Sequence, residues 1–337
     1  MPAVPPEHPS IVLHGNPMLL WELAPGTRTE RGVRVHVNAE GFRGPERGPR
    51  RGPRALAVGD SSVYGFGVQD EAVWSAVAER TLGAEVVNGA CPGWSTFQAR
   101  NMLDLRGWDL APDLLVIGTL WSDNNFDGFV DRELLASLAG WESGWTARAR
   151  RLLGASALFR RADWSLRVAP QARRAREIGW DLSDRDDRSG RRRVAIEDYV
   201  ANLEALVDAA RAHGAGVVFL ELANRQDLVP VAGTEPAWAP YREAMRAVAD
   251  RHGAPRVDVP RAFVASGRSA DALFLDSMHP SAEGHALLAR AFAEAVGAVG
   301  WPTRPFVLPE PTGAPPEVVD PYAQAGGRPA VDAVPRE

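Results

Sequence analysis

The chain has no lysine; all 38 of its basic side chains are arginine. That excludes a Schiff-base amine, the lysine of a phosphate-cradling P-loop and the strand lysine of protein kinases. Arginine keeps a positive charge but is effectively never deprotonated, so it cannot act as an amine nucleophile. A single cysteine, Cys91, excludes an intrachain disulfide and a cysteine-based zinc cage. No apolar run approaches the ~20 residues needed to span a bilayer, so no transmembrane segment is expected. The opening MPAVPPEHPSIVLHG lacks the basic and apolar blocks of a signal peptide, and a reducing, cytoplasmic setting is the expectation. There is no His-Glu-x-x-His, and His8, His14, His36, His213 and His252 are scattered, so neither a metal nor a cofactor is expected. A dinucleotide fingerprint fails because Asp70 stands where the third glycine should follow Gly65-Phe-Gly67. The Gly-x-Ser-x-Gly elbow is missing too, since Gly93-Trp-Ser95 is followed by Thr-Phe.

What is present belongs to an ordinary globular chain. Of 337 residues, 45% are hydrophobic and 24% charged. The formal charge of −5 gives no hint of a nucleic-acid partner. Residues 1–54 read as a leader: Arg31 to Asn38 alternates polar and apolar side chains like a half-buried strand, and Arg43 to Arg54 is a Gly/Pro/Arg-rich linker. From residue 55, short apolar runs (55–58, 85–88, 113–121, 216–222, 256–259) alternate with helical patterns (71–83, 95–106, 195–213, 238–252, 281–299) up to about residue 300. This rhythm predicts a parallel sheet with helices on both faces. Residues 126–194 interrupt it as a helical insertion, a possible lid, with Trp141, Trp145, Trp164 and Trp180. From Arg148 to Arg193 the insertion holds 14 arginines against 6 acids, a net +8. A solvated arginine face is the expected reading of that charge, with bidentate recognition of an anion by a cluster such as Arg191, Arg192 and Arg193 as the sharper one. Its tryptophans are expected to anchor it to the sheet. The stretch 301–337, with nine prolines from Pro302 onward, is expected to run extended.

Open α/β sheets place their chemistry at the carboxyl ends of strands. The first of these strands ends in Gly59-Asp60-Ser61-Ser62, and a serine between strand and helix can be a nucleophile or merely part of a helix cap. Leu275-Asp276-Ser-Met-His279-Pro280 precedes the last helix. One turn there can bring the Asp276 carboxylate to Nδ1 of His279 and leave Nε2 free as a base. Taken singly, each segment reads as a cap with a surface group. His285, six residues on, reads as a surface residue of the last helix.

Together the segments resemble the SGNH (GDSL-type) hydrolase superfamily. Asn88-Gly-Ala-Cys-Pro-Gly93 is similar to its second block, and Asn38-Ala-Glu-Gly-Phe-Arg-Gly44 looks like the segment preceding the hydrolase domain in many bacterial members. The resemblance implies a flavodoxin-like three-layer α/β/α sandwich with a five-stranded parallel sheet. It implies a serine hydrolase cleaving a carboxylic ester, with Ser61 as nucleophile, His279 as base and acid, Asp276 as orienting partner, and the N–H groups of Ser61 and Gly93 as oxyanion donors. One block departs from it. The third strand usually ends in Gly-x-Asn-Asp, whereas Gly118-Thr-Leu-Trp-Ser122-Asp123-Asn124-Asn125 offers Ser122 in register, or Asn124 or Asn125 after a shift, as the third donor. A small-molecule, carbohydrate or lipid ester is the implied substrate. An O-acyltransferase on a sugar hydroxyl and a non-catalytic binding module of the same fold are the alternatives.

Overall fold

The computed structural model of the chain describes residues 11–13, 17–127, 129–136, 144–154, 156, 158–159, 161–163, 165–166, 191–231 and 236–321. Trp141, Trp164, Trp180 and the last sixteen residues therefore lie outside the described residues.

The leader contributes two small antiparallel pairs, β1 (Ile11–Leu13) with β2 (Trp21–Leu23), and β3 (Gly26–Glu30) with β4 (Val33–Val37). The strands of the main sheet are β5 (Arg54–Gly59), β6 (Glu85–Asn88), β7 (Leu114–Gly118), β10 (Gly216–Glu221) and β11 (Arg256–Asp258); β8 (Phe126–Asp127) and β9 (Arg191–Arg192) pair at the base of the insertion. The main sheet is five-stranded, in the order β11-β10-β7-β5-β6, with every pair parallel. Numbered within the sheet this is 2-1-3-4-5, the flavodoxin-like order, as expected.

Its central strands are apolar apart from Arg54 and Glu221 at their ends, and are buried along their whole length because helices cover both faces. The principal α-helices among the described residues are α1 (Ser61–Tyr64), α2 (Trp74–Leu82), α3 (Thr96–Met102), α4 (Trp121–Asn124), α5 (Asp131–Ala136), α6 (Gly144–Gly154), α7 (Ile196–Ala212), α8 (Arg225–Leu228), α9 (Ala239–Arg251), α10 (Val259–Ala265), α11 (Ala270–Leu273) and α12 (Ala282–Ala298). One layer packs α12 against α2 and α10, the other α7 against α3 and α9. The leader is part of the same core: Leu19, Leu20, Trp21 and Leu23 are buried in it.

Two departures from the sequence expectations matter for the site. The apolar run 113–121 is not one strand. It stops at Gly118, and Trp121 already begins α4, so Ser122, Asp123 and Asn124 share a single buried helical turn. The arginines 191–193 are not a solvated cluster. Arg192 is bidentate to Asp320 (2.7 and 3.1 Å), Arg193 is bidentate to Asp131 (3.0 and 2.8 Å), and Arg191 pairs with Glu133. Their guanidinium forks serve to seat the end of the insertion, which takes away the basis for an anion-recognition cluster there.

Candidate active site

The order of the sheet reverses between β5 and β7, the switch point where open α/β folds form their crevice. Two glycines let α1 settle onto it. Gly59 and Gly118 face each other in register at the ends of β5 and β7. A Cβ on Gly59 would lie 2.5 Å from the Gly118 carbonyl oxygen, and one on Gly118 would lie 2.4 Å from the Val63 side chain. The space they vacate is filled by Val63 of α1.

Asp60 caps α1. One carboxylate oxygen accepts the Ser62 N–H (3.0 Å) and the other the Trp121 N–H (2.9 Å), which ties the end of β5 to the start of α4. Burial raises its pKa, against the opposing pull of these backbone donors. Ser61 follows as the first residue of the helix, and its Oγ lies 2.7 Å from Nε2 of His279. Nδ1 of the same ring lies 2.8 and 2.9 Å from the two Asp276 oxygens. Asp276 also accepts the backbone N–H groups of Met278 (3.1 Å) and His279 (2.9 Å), so one turn fixes both members of the pair. Burial works against its ionisation, but the hydrogen bonds from His279 outweigh it and hold the carboxyl well below the usual range. The neighbouring hydroxyl, Ser62 Oγ, donates to the Met278 carbonyl (2.9 Å) and pins α1 to this loop. Sequence spacing brought Asp276 and His279 together; the fold adds Ser61 from 218 residues away.

A third edge is the Asn88–Gly93 loop. Asn88 Nδ2 donates to the Val63 and Tyr64 carbonyls (3.1 and 3.2 Å), which joins the loop to α1. Gly93 has φ +79°, a left-handed conformation in which a side chain is strained, and its missing Cβ would stand 3.2 Å from the Trp21 ring. The carbonyls on both sides of it are held from outside. The Trp21 indole N–H donates to the Pro92 carbonyl (3.0 Å), and the Arg193 guanidinium to the Gly93 carbonyl (2.7 Å). In return the Trp94 indole N–H donates to the Trp21 carbonyl (3.0 Å). In a trans peptide the carbonyl and the following N–H point in opposite directions, so fixing the Pro92 oxygen aims the Gly93 N–H away from Trp21.

Behind this loop lies a buried acid. Asp123 accepts the backbone N–H (2.9 Å) and hydroxyl (2.7 Å) of Thr96 on one oxygen, and its other oxygen has no partner among the described residues. Burial, aided by the nearby Asp131 charge, pushes its carboxyl up to about 7 despite the Thr96 hydrogen bonds and Arg193. Asn124 turns its amide back onto its own helix, donating to the Leu120 carbonyl (2.6 Å) and the Trp121 carbonyl (3.4 Å). Ser122 is buried one residue before Asp123 on the same turn.

Two further features were not legible in the sequence. The hairpin of β3 and β4 turns through Arg31, at φ +47°, and places its guanidinium 3.4 Å from Asp276 and over the Phe66 ring; Phe66 in turn packs 5.1 Å from the His279 ring. His285 is fully buried rather than on the surface, accepting the Trp74 N–H (3.3 Å) on Nδ1. Burial, with the Arg43 and His279 charges adding, drives its pKa down to about 3, so it is a neutral packing group near pH 7.

Residues 181–287, a stretch that contains Asp276 and His279, match the model of the GDSL-like lipase/acylhydrolase family. That segment is similar to a GDSL-like lipase/acylhydrolase domain. The class is one of ester-bond hydrolases. No curated protein matches the chain by sequence. Among solved structures, the chain is similar to an α/β hydrolase enzyme from the metagenome of Lake Arreo, Spain, at 19% identity over 74% of this chain and 96% of that one, with a TM-score of 0.47. It is also similar to an acetylxylan esterase from Geobacillus stearothermophilus, at 16% identity over 74% and 95% of the two chains, with a TM-score of 0.46.

Proposed function

We propose that this GDSL-type protein is a serine esterase that cleaves a carboxylic ester through an acyl-serine intermediate. The observation that carries the reading is the unbroken hydrogen-bonded chain from Ser61 Oγ through the His279 ring to Asp276. Asp276 holds the proton on Nδ1, leaving the Nε2 lone pair to take the Ser61 proton as Oγ attacks the ester carbonyl. The tetrahedral oxyanion is met by the N–H groups of Ser61 and Gly93, each such donor worth about 3 kcal/mol of barrier. The imidazolium, stabilised by Asp276, then protonates the leaving alkoxide, and the alcohol departs. Water, deprotonated by the same Nε2, attacks the acyl-serine; collapse of that second intermediate returns the proton to Ser61 and releases the acid.

For the third donor, Ser122 is the better candidate. The Asn124 amide is already engaged by two carbonyls of its own turn. Ser61→Ala should abolish hydrolysis of 4-nitrophenyl acetate and labelling by a fluorophosphonate probe. A variant that labels and turns over like the parent would refute the assignment.

A further inference from the structure

We propose that the outer face of the insertion is a docking surface for a bilayer that displays anionic lipid headgroups. This inference does not depend on the esterase reading.

Five of the twelve exposed large apolar side chains among the described residues fall within 22 consecutive positions. They are Trp145 (78% exposed), Leu152 (79%), Leu153 (50%), Leu158 (78%) and Leu166 (76%). Trp145 thus stands outward, contrary to the expectation that the insertion's tryptophans anchor it to the sheet. Scattered single apolar residues on a surface need no explanation, but a cluster of this density does. The segment is seated on the protein, since Gly154 and Asp163 within it are buried. Its apolar side chains are therefore those left over after its inner face has packed.

The helix α6 spans about 16 Å at 1.5 Å per residue. Trp145, Arg148 and Leu152 stand at i, i+3 and i+7 and so share one face. Residues 144–166 carry five arginines and a single acid, Asp163, and that acid is buried. A short helix with an aromatic and leucines outward, flanked by arginines and almost free of acids, has the chemistry of an interfacial helix. Its apolar side chains enter the headgroup boundary while the exposed guanidiniums of Arg148 and Arg161 meet lipid phosphates. Among the described residues no helix is long and apolar enough to cross a membrane, so the contact would be peripheral.

Two other occupants fit less well. Nucleic acid would engage the arginines through its phosphates but would leave four leucines uncovered. A second copy docked through the same face by a two-fold axis would set one basic patch against another.

The test is flotation of the full chain with vesicles. The protein should float with phosphatidylcholine vesicles containing about 30 mol% phosphatidylglycerol and stay behind with pure phosphatidylcholine, and the binding should fade as salt rises from about 0.05 M to about 0.5 M. Leu152→Glu combined with Leu158→Glu should weaken it at least tenfold, and Arg148→Gln and Arg161→Gln by about fivefold each. Turnover of a water-soluble ester should be unchanged in all of them, which separates this surface from the catalytic reading. The proposal fails if the parent chain does not bind anionic vesicles, or if it binds both vesicle types alike. It also fails if sedimentation reveals a dimer that Leu152→Glu dissolves, for then a second copy covers the face.

Discussion

The two edges of the candidate site are built in opposite ways. The edge formed by Asp276 and His279 is local: one turn supplies the carboxylate, the ring and the backbone donors that orient them. The edge formed by Gly93 borrows its rigidity. Its flanking carbonyls are held by Trp21, 71 residues earlier, and Arg193, 100 residues later, neither of which belongs to the parallel sheet. The leader and the root of the insertion are thus parts of the site's support. A sheet of this kind can place a nucleophile and base from its own loops, whereas an N–H aimed at a developing charge needs its peptide held from both sides.

The comparison can be tested first on the local edge, where the largest effect is expected. Asp276→Asn should lower kcat on the order of 10⁴-fold while leaving the melting temperature near that of the parent, because the turn survives and only the tautomer is lost. A large drop in thermal stability would mean that this edge, too, is scaffold. The next largest effect concerns stability behind the Gly93 edge. The Asp123 pKa is raised by folding from about 4 to about 7, so its contribution is present at low pH and lost as pH rises through that window, on the order of 4 kcal/mol in all. His285 has the opposite sign: lowered to about 3, it contributes stability that is present above about 6.5 and lost as pH falls toward 3. The two therefore act in opposite directions over the pH range they share. Urea midpoints of Asp123→Asn should therefore rise with pH between about 4 and 6.5 more steeply than those of the parent. Parallel profiles would remove Asp123 from the argument.

Smaller effects test the borrowed support itself. Gly93→Ala forces a Cβ toward the Trp21 ring at positive φ and should cost about 1–3 kcal/mol of stability together with catalytic rate. Calorimetry beside ester turnover would show both. Trp21→Phe keeps an aromatic ring, though a smaller one, and deletes the indole N–H to Pro92. It should reduce kcat about tenfold with KM little changed, as expected when only transition-state stabilisation is lost. A rise in KM at constant kcat would instead make Trp21 a wall of the substrate pocket.

The legibility of the molecule follows the same division. The sheet was readable because buried parallel strands are apolar throughout and the intervening helices keep their period; residues 196–212, 239–251 and 282–298 fall within a residue of the expected bounds. Asp276 and His279 were readable because three-residue spacing is itself a geometry. Trp21 and Arg193 carried no such signal. One sits in the leader ahead of its alternating stretch, the other in an arginine run that resembles a solvated face until Asp131 is placed beside it. His285 was misjudged for the same reason: its burial depends on Trp74, 211 residues away. The run ending at Trp121 looked like strand because nothing apolar marks Gly118; the break comes from the Asp60 carboxylate claiming the Trp121 N–H.

The hydrogen bond from Ser62 to the Met278 carbonyl closes a loop of 216 residues right beside the candidate nucleophile. During synthesis Ser61 leaves the ribosome long before His279 does. Until the last loop arrives, Ser61 is an ordinary alcohol with no partner to accept its proton. On the proposed mechanism esterase turnover is therefore a late event in the life of the nascent chain, and its onset can time completion of the whole sheet.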